Sequence, residues 1–255
     1  MLRQISLQDS IVYGPVRSRR LGNSLGINLL PLSEKLCSSN CVYCQYGWTK
    51  SEKTAEPIKR AAELLTLIER EFQAFREHGT PIDCITLAGN GEPTLHPDLP
   101  EVVAGLSRLR DHYFPSAKLG ILSDATQIHR PAIRSALQAL DVRYMKLDAG
   151  DEATWRRIND PLGKADWQTM IDGLMGLPDI VLQSMFVQGS CDNTDAPHIG
   201  RWVALVGRIR PASVQVYTVD RAPADAGIAK VPAERLEAIA QQLTAHTGIP
   251  AEVFA

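Results

Sequence analysis

The sequence LCSSNCVYC at residues 36–44 carries three cysteines, Cys37, Cys41 and Cys44, in the spacing CxxxCxxC. Three thiolates at this spacing can bind three irons of a 4Fe–4S cluster, which normally has four cysteine ligands. The fourth iron would then stay open to a small chelating molecule. A structural zinc site is the alternative, but it needs four closed ligands, and neither a CxxC nor an HxxxH pair follows later in the chain. The spacing therefore favours the cluster.

The composition is typical of a globular protein. The chain has 255 residues, of which 44% are hydrophobic and 22% charged, enough for one large α/β domain with a full core. No uninterrupted apolar run of about 18 residues predicts a membrane span, and the N-terminus lacks an apolar signal core. Three of the five cysteines are clustered, which suits a reducing compartment better than a disulfide framework. We therefore expect a cytoplasmic protein with no membrane association.

Strand-like and helix-like segments alternate six times along the chain. The predicted strands are 25–30, 82–88, 118–123, 142–147, 180–187 and 213–218, and the predicted helices are 59–78, 99–110, 131–140, 167–175, 198–209 and 233–246. Such alternation indicates a parallel sheet with helices outside, and six units are too few for a closed eight-fold barrel. The pattern predicts an α/β fold, a partial (β/α)6 barrel over residues 25–255, preceded by a basic arm over residues 1–24.

Glycine-rich and polar residues stand at the ends of the predicted strands, where this fold class places its chemistry. The second strand leads into GNGEPTL at Gly89–Leu95, where glycines let the backbone approach a ligand and Glu92 offers a carboxylate to an ammonium group. Lys146 and Asp148 share one face of the fourth strand and would point into the barrel. Weaker candidates are Ser123 and Asp124 after the third strand, Gln183 on the fifth and Tyr217 on the sixth. Capping of the next helix is the alternative role for Ser123 and Asp124.

The cysteine spacing, with Tyr43 just before the last cysteine, resembles the radical S-adenosylmethionine (radical SAM) superfamily. In that superfamily the amino and carboxylate groups of S-adenosylmethionine (SAM) bind the open iron, and an electron from the cluster cleaves SAM to a 5′-deoxyadenosyl radical. The resemblance implies a 4Fe–4S cluster and SAM as cofactors. The cofactor-binding residues are then expected to be Tyr43, Gly89, Asn90, Gly91, Glu92, Ser123, Gln183 and Tyr217, with Lys146 and Asp148 as the catalytic candidates.

Further segments resemble one branch of the superfamily, the Fe–S oxidoreductases related to wyosine synthases. These segments are YGPVRSRRLG at 13–22, GNGEPTL at 89–95, KLDAG at 146–150, Ile158-Asn159 and VYTVDR at 216–221. Wyosine synthases carry further cysteines for a second cluster, and this sequence has no counterpart of them. Formation of a tricyclic tRNA base therefore does not follow from the resemblance.

Three functions are compatible with these motifs. The leading hypothesis is a radical SAM enzyme that abstracts hydrogen from an unidentified substrate, with RNA as one candidate class and flavodoxin or ferredoxin as the kind of reductant. An activase that installs a glycyl radical on a partner protein is the first alternative, because such activases share the cysteine spacing. A non-catalytic metal- or RNA-binding module is the second, and the inward-pointing Glu92, Lys146 and Asp148 argue against it.

Charge is unevenly distributed along the chain. Residues 1–60 have a net charge of +5 and the remainder −7, within a total of −2. Arg17, Arg19 and Arg20 directly precede the first predicted strand, so we expect them near the rim or the open side of the barrel. There they would either bind phosphate groups of a nucleic acid or pair with acidic residues of the chain itself.

Overall fold

The structure, a computed structural model, describes residues 5–18, 20–50 and 54–255. Its strands are β1 (Val12–Ser18), β2 (Gly22–Ile27), β3 (Cys84–Leu87), β4 (Lys118–Ser123), β5 (Val142–Lys146), β6 (Ile180–Met185), β7 (Gln188–Gly189), β8 (Ser213–Tyr217), β9 (Ile228–Ala229) and β10 (Ala251–Phe254). Its helices are α1 (Ala61–Glu77), α2 (Leu99–Tyr113), α3 (Pro131–Gln138), α4 (Glu152–Asn159), α5 (Trp167–Met175), α6 (Ala196–Ile209) and α7 (Ala233–Thr247). All the predicted strands and helices form, and within the described ranges no helix is long and apolar enough to cross a membrane.

The main sheet has eight strands in the order β1-β2-β3-β4-β5-β6-β8-β10. Neighbouring strands from β2 to β10 run parallel, and β1 pairs antiparallel with β2 at one edge. The sheet curls into a half-barrel, which confirms the predicted partial barrel and adds a strand at each edge. Strands β7 and β9 form a separate antiparallel pair.

Alternate residues of each strand face opposite sides of the sheet. The convex side packs against the helices, and residues such as Leu25, Ile85 and Met145 belong to the main hydrophobic core there. The residues between them on the strands face the concave side. They are mostly small or polar: Ser24, Gly26, Cys84, Thr86, Gly120, Tyr144, Lys146, Gln183, Gln215 and Tyr217. The interior of the half-barrel is therefore suited to a polar ligand.

Besides the two-residue strands β7 and β9, the elements β1, α4 and β10 lie outside the predicted pattern. Strand β1 contains a Gly-Pro pair that weakens strand propensity, and proline is tolerated there because β1 is an edge strand. Helix α4 has few apolar residues, but Trp155 and Ile158 are buried and the Asp151 side chain accepts a hydrogen bond from the Thr154 amide at 2.8 Å. Strand β10 has only four residues, too few to show a period.

The packing of α1 on the core predicts the effect of a substitution. Phe72 is fully buried, and its ring makes edge contacts with those of Tyr113 and Phe114, at centroid distances of 6.3 and 5.3 Å. Phe72→Ala should lower the free energy of unfolding by about 3–5 kcal/mol, because the lost ring leaves a cavity. The exposed neighbour Glu71 is the control, and Glu71→Ala should change the free energy of unfolding by less than about 0.5 kcal/mol. Denaturant unfolding measures the stability of both variants, and equal free energies of unfolding for the two would contradict this packing.

Candidate active site

Backbone hydrogen bonds fix the cysteine loop, residues 36–44, between segments that follow different strands. On one side, the Leu36 amide donates to the Asn90 carbonyl at 2.9 Å, and the Glu92 amide donates to the Leu36 carbonyl at 3.0 Å. On the other side, the Val42 amide donates to the Ile158 carbonyl at the end of α4, also at 3.0 Å. The loop thus lies across the C-terminal ends of the strands, where the sequence places it.

Asp124, which follows β4, holds the middle of the cysteine loop. Its Oδ2 accepts hydrogen bonds from the hydroxyls of Ser38 and Ser39, at 2.7 and 2.8 Å, and its Oδ1 accepts from the Thr126 hydroxyl at 2.8 Å. Helix α3 begins only at Pro131, and no side chain caps it. The polar residues after β4 therefore bind the cysteine loop, and the alternative role as helix cap does not apply.

The glycine-rich loop after β3 makes two close backbone contacts. Gly91 has φ +143°, and a Cβ at this position would lie 1.6 Å from the Leu36 carbonyl oxygen, so only glycine allows the cysteine loop to approach. A Cβ on Gly89 would lie 2.3 Å from Asn28 Oδ1. The Asn90 side chain donates to the carbonyls of Gln8 and Pro31, both at 2.9 Å, and therefore ties the loop to the N-terminal segment.

Glu92 is buried, and neighbouring groups bind both of its carboxylate oxygens. Oε1 accepts from the Thr94 amide at 3.0 Å, the Thr94 hydroxyl at 2.6 Å and the Ser123 hydroxyl at 2.8 Å. Oε2 accepts from the Asp124 amide at 2.6 Å. Burial, together with repulsion from the Asp124 carboxylate, raises the pKa of Glu92. The side chain thus connects the segments after β3 and β4.

A second group of polar side chains surrounds Asp148, which follows β5. Its Oδ2 accepts from the Tyr43 hydroxyl and from Asn159 Nδ2, the latter at 2.6 Å, and its Oδ1 accepts from the Met185 amide at 2.8 Å. Asn159 Nδ2 also lies 3.0 Å from the Tyr43 hydroxyl oxygen and 3.4 Å from Cys41 Sγ. One carboxylate and one amide therefore hold the C-terminal half of the cysteine loop.

Lys146 extends from β5 toward the same group. Its Nζ lies 3.8 Å from Asp148 Oδ2 and 4.9 Å from the centre of the Tyr43 ring. Burial alone would lower the pKa of Lys146, but attraction to the Asp148 carboxylate, and to Tyr217 and the nearby cysteines, outweighs burial and raises it. The amine is therefore a charged group beside the cysteine loop.

The three cysteine side chains fit a 4Fe–4S cluster. Burial raises the pKa of the Cys37 thiol well above its usual range and the pKa of the Cys41 thiol to about 11. The positive charge of Lys35 partly offsets this effect at Cys37, and that of Lys146 does so at Cys41. Bound iron displaces such protons, and the nearby lysines favour the anionic product. Among the described residues, no group of three His, Cys, Asp or Glu side chains is arranged to bind one metal ion. A 4Fe–4S cluster does not require such an arrangement, because each cysteine binds a different iron.

One buried acceptor beside the loop also fits a bound cofactor. Asn159 Oδ1 is buried and has no hydrogen-bond partner within the described ranges. An unsatisfied buried carbonyl is costly, and a donor from a bound molecule would remove that cost.

A family model described as the Radical SAM superfamily matches residues 35–182, more than half of the chain and the part that contains the cysteine loop and β3 to β6. The chain belongs to the radical SAM superfamily. Membership makes this protein an Fe–S oxidoreductase enzyme rather than a non-catalytic binding module, and SAM and a 4Fe–4S cluster are the cofactors general to the family.

Relatives of this radical SAM protein include one named UPF0026 protein from Helicobacter pylori (strain ATCC 700392 / 26695). It is 34% identical over 219 residues, which cover 83% of this chain and 67% of the relative. A protein named GTPase Obg from Brachyspira hyodysenteriae is 28% identical over 252 residues, covering 97% of this chain but 35% of that protein. This chain therefore corresponds to about a third of the second relative.

Solved structures of low sequence identity share the fold of this radical SAM protein. TYW1 with a lysine-pyruvate adduct bound superposes with a TM-score of 0.64 at 16% identity, over 88% of this chain and 74% of that chain. A radical SAM methyltransferase from Sphaerobacter thermophilus superposes with a TM-score of 0.66 at 15% identity, over 91% of this chain and 65% of that chain. These similarities establish the partial barrel.

The structure divides the sequence-predicted site residues of this radical SAM protein into four groups. Tyr43, Lys146 and Asp148 lie together beside the cysteine loop, and Glu92 and Ser123 bond to each other on its opposite side. Gly89, Asn90 and Gly91 form the intervening loop, with the Asn90 side chain turned toward residues 8 and 31. Gln183 and Tyr217 lie on the concave face; Gln183 donates to Gln215 at 2.7 Å, and Arg20 stacks on Tyr217.

The sequence analysis did not select Asn159 as a binding residue. The sequence contained one signal for Asn159, because the Ile158-Asn159 segment resembles the same branch of the superfamily. No periodicity of the sequence marks this residue. Of the three arginines expected near the barrel, Arg17 is exposed on β1, Arg20 lies at the concave face, and Arg19 is outside the described residues.

The close approach at Gly91 predicts that an added methyl group displaces the cysteine loop. Gly91→Ala should lower the unfolding free energy by more than about 2 kcal/mol and reduce the iron bound after reconstitution, because the Leu36 carbonyl must move. Gly200, in helix α6, is the matched control, since a Cβ there meets nothing within 4 Å. Gly200→Ala should be neutral or slightly stabilising. Denaturant unfolding and iron analysis test both, and a Gly91→Ala protein with wild-type iron content would refute the constraint.

Loss of the Asn159 amide should weaken the same loop from its other side. Asn159→Ala removes donors to Asp148 and the Tyr43 hydroxyl, so we expect an unfolding free energy lower by about 1–3 kcal/mol and faster iron loss to a chelator. Gln168→Ala removes an amide from the exposed side of α5 and should change neither quantity. Equal chelation rates for the two variants would show that Asn159 does not hold the loop.

Proposed function

We propose that this enzyme holds a 4Fe–4S cluster on Cys37, Cys41 and Cys44 and cleaves SAM reductively, so that the resulting 5′-deoxyadenosyl radical abstracts hydrogen from a substrate on the concave face. One observation supports the proposal above the others. The segments after β3, β4 and β5 all bond to the cysteine loop, and they hold it at the mouth of a polar half-barrel. A reduced cluster with SAM at its open iron would supply the radical.

Lys146 is the cation that we assign to the SAM carboxylate. It is charged, it lies beside the cysteine loop, and Asp148 and the Tyr43 ring hold it there. Asp148 and Asn159 in turn fix the Tyr43 ring, whose aromatic face is then available to the adenosine. These residues bind and orient, and the covalent chemistry belongs to the cofactors.

The SAM ammonium is assigned to the loop after β3. Both oxygens of Glu92 already accept hydrogen bonds from the protein, so we assign the contact to the loop backbone of Gly89–Gly91. Glu92 then acts by holding that backbone in place, and direct contact of its carboxylate with the ammonium stays a prediction. Ser123 and Tyr217 stay cofactor-binding candidates. Gln183, the third such candidate from the sequence, donates to Gln215 on the concave face, a position that also suits a substrate contact.

The substrate and reductant classes are hypotheses. The net charge of +5 over residues 1–60 supports an anionic partner such as RNA. A low-potential protein such as flavodoxin or ferredoxin would supply the electron. The identity of the modified product distinguishes a free substrate from a partner protein that acquires a glycyl radical.

Anaerobic reconstitution with iron, sulfide, SAM and a chemical reductant tests the proposal. The wild-type protein should bind about four irons, show an electron paramagnetic resonance spectrum that changes on addition of SAM, and release 5′-deoxyadenosine. Cys37→Ala, Cys41→Ala and Cys44→Ala should each lose most of the iron and all nucleoside release, because each removes a ligand.

Two further cysteines provide matched controls for this experiment. Cys84 lies within β3, and Cys191 packs at the edge of the small cluster around Tyr43, outside the proposed ligand set. Cys84→Ala and Cys191→Ala should retain iron and SAM cleavage. One zinc per chain with no iron uptake, or equal iron loss in all five variants, would refute the ligand assignment.

A further inference from the structure

Arg20 crosses the open side of the half-barrel. It lies in the turn between β1 and β2, at one edge of the sheet, and its guanidinium carbon is 5.0 Å from the ring centroid of Tyr217. Tyr217 ends β8, which is next to the strand at the opposite edge. The arginine is half-buried, and its guanidinium lies against the Tyr217 ring of the concave face.

Among the described residues, the guanidinium of Arg20 has no carboxylate in ion-pair contact. Lys146, a cation of the same face, by contrast lies 3.8 Å from Asp148. Stacking on an aromatic ring compensates the charge of a guanidinium only in part. The in-plane N–H groups stay available, and their geometry matches the two oxygens of a carboxylate or a phosphate.

A pair of buried amides lies next to this arginine. Gln183 Nε2 donates to Gln215 Oε1 at 2.7 Å, and the two residues are only 7% and 6% exposed. Whichever amide donates, the bond leaves one complete NH2 group and one complete carbonyl oxygen of the pair able to bind a ligand. Gln215 and Tyr217 are two residues apart on β8 and share its concave face, so the amide pair adjoins the Arg20–Tyr217 stack.

We propose that Arg20 and the Gln183–Gln215 pair form the substrate subsite of this enzyme. The guanidinium binds an oxyanion of the substrate, and the amide pair binds an amide-type edge in which a carbonyl adjoins an N–H. The substrate class is therefore a molecule that carries a carboxylate or phosphate close to an amide. This inference rests on the proposed function, which places the substrate on the concave face.

Small probes separate the two parts of this subsite. Ligand-observed NMR would measure binding of N-acetylglycine, acetate, N-methylacetamide and inorganic phosphate to the reconstituted, SAM-loaded protein without reductant. N-acetylglycine, which carries both groups, should bind more tightly than acetate or N-methylacetamide. Arg20→Gln should weaken N-acetylglycine binding about tenfold or more, because it removes a charge-assisted hydrogen bond. Gln215→Leu should abolish only the preference for N-acetylglycine over acetate. The ratio of phosphate to acetate affinity identifies the oxyanion.

Controls distinguish a binding role from a structural one. Arg17→Gln removes the same charge from an exposed position of the same hairpin and should leave probe binding unchanged. If Arg20→Gln lowers the melting temperature but binds every probe as the wild type does, Arg20 is a structural link and the proposal is wrong. Absence of probe binding by the wild type also overturns it. Release of 5′-deoxyadenosine, measured on the same samples after reduction, tests the proposed function separately.

Discussion

Three buried carboxylates, those of Glu92, Asp124 and Asp148, determine how the cysteine loop is held. A carboxylate removed from water is tolerated only when donors surround it, because an isolated buried charge costs several kcal/mol. Here the donors come from the loop itself and from the segments after neighbouring strands. The loop and these segments must therefore adopt their positions together. Displacing any of them would leave a buried charge unsatisfied.

Apolar packing makes a smaller contribution at this site than in the body of the protein. Val42 and Tyr43 pack with Ile158 and Met185 in a small cluster that is separate from the main core between sheet and helices. Such a cluster excludes water, but apolar contacts do not fix the orientation of individual groups. Hydrogen bonds to carboxylates do fix the positions of individual atoms. The polar contacts therefore fix the positions of the thiols.

The sequence predicts those parts of the fold that depend on periodicity. The six strand-and-helix units were recognisable because one face of each element is apolar, and the active face followed from the rule that chemistry gathers at strand ends. Strand β1 and helix α4 were not recognisable, since tertiary contacts stabilise them against weak local propensity. The roles of Asn90 and Glu92 also could not be predicted. A motif shows which polar groups are present, but it does not show their hydrogen-bond partners. Those partners are residues distant in sequence from the motif, such as Gln8 for Asn90 and Ser123 for Glu92.

The open side of the half-barrel explains why Lys146 and Arg20, two cations of the concave face, lie in different environments. A closed barrel would bury both faces of every strand, whereas six units leave an opening between the first and last strands. Lys146 lies at the mouth beside Asp148, so a ligand there must compete with an internal carboxylate. Arg20 instead reaches the concave face from outside the parallel strands, through a hairpin at the sheet edge, and stacks on the Tyr217 ring with no carboxylate in ion-pair contact among the described residues. Of the two cations, Arg20 therefore retains more capacity to bind an external anion, whereas Lys146 and its carboxylate are fixed as part of the cysteine-loop assembly.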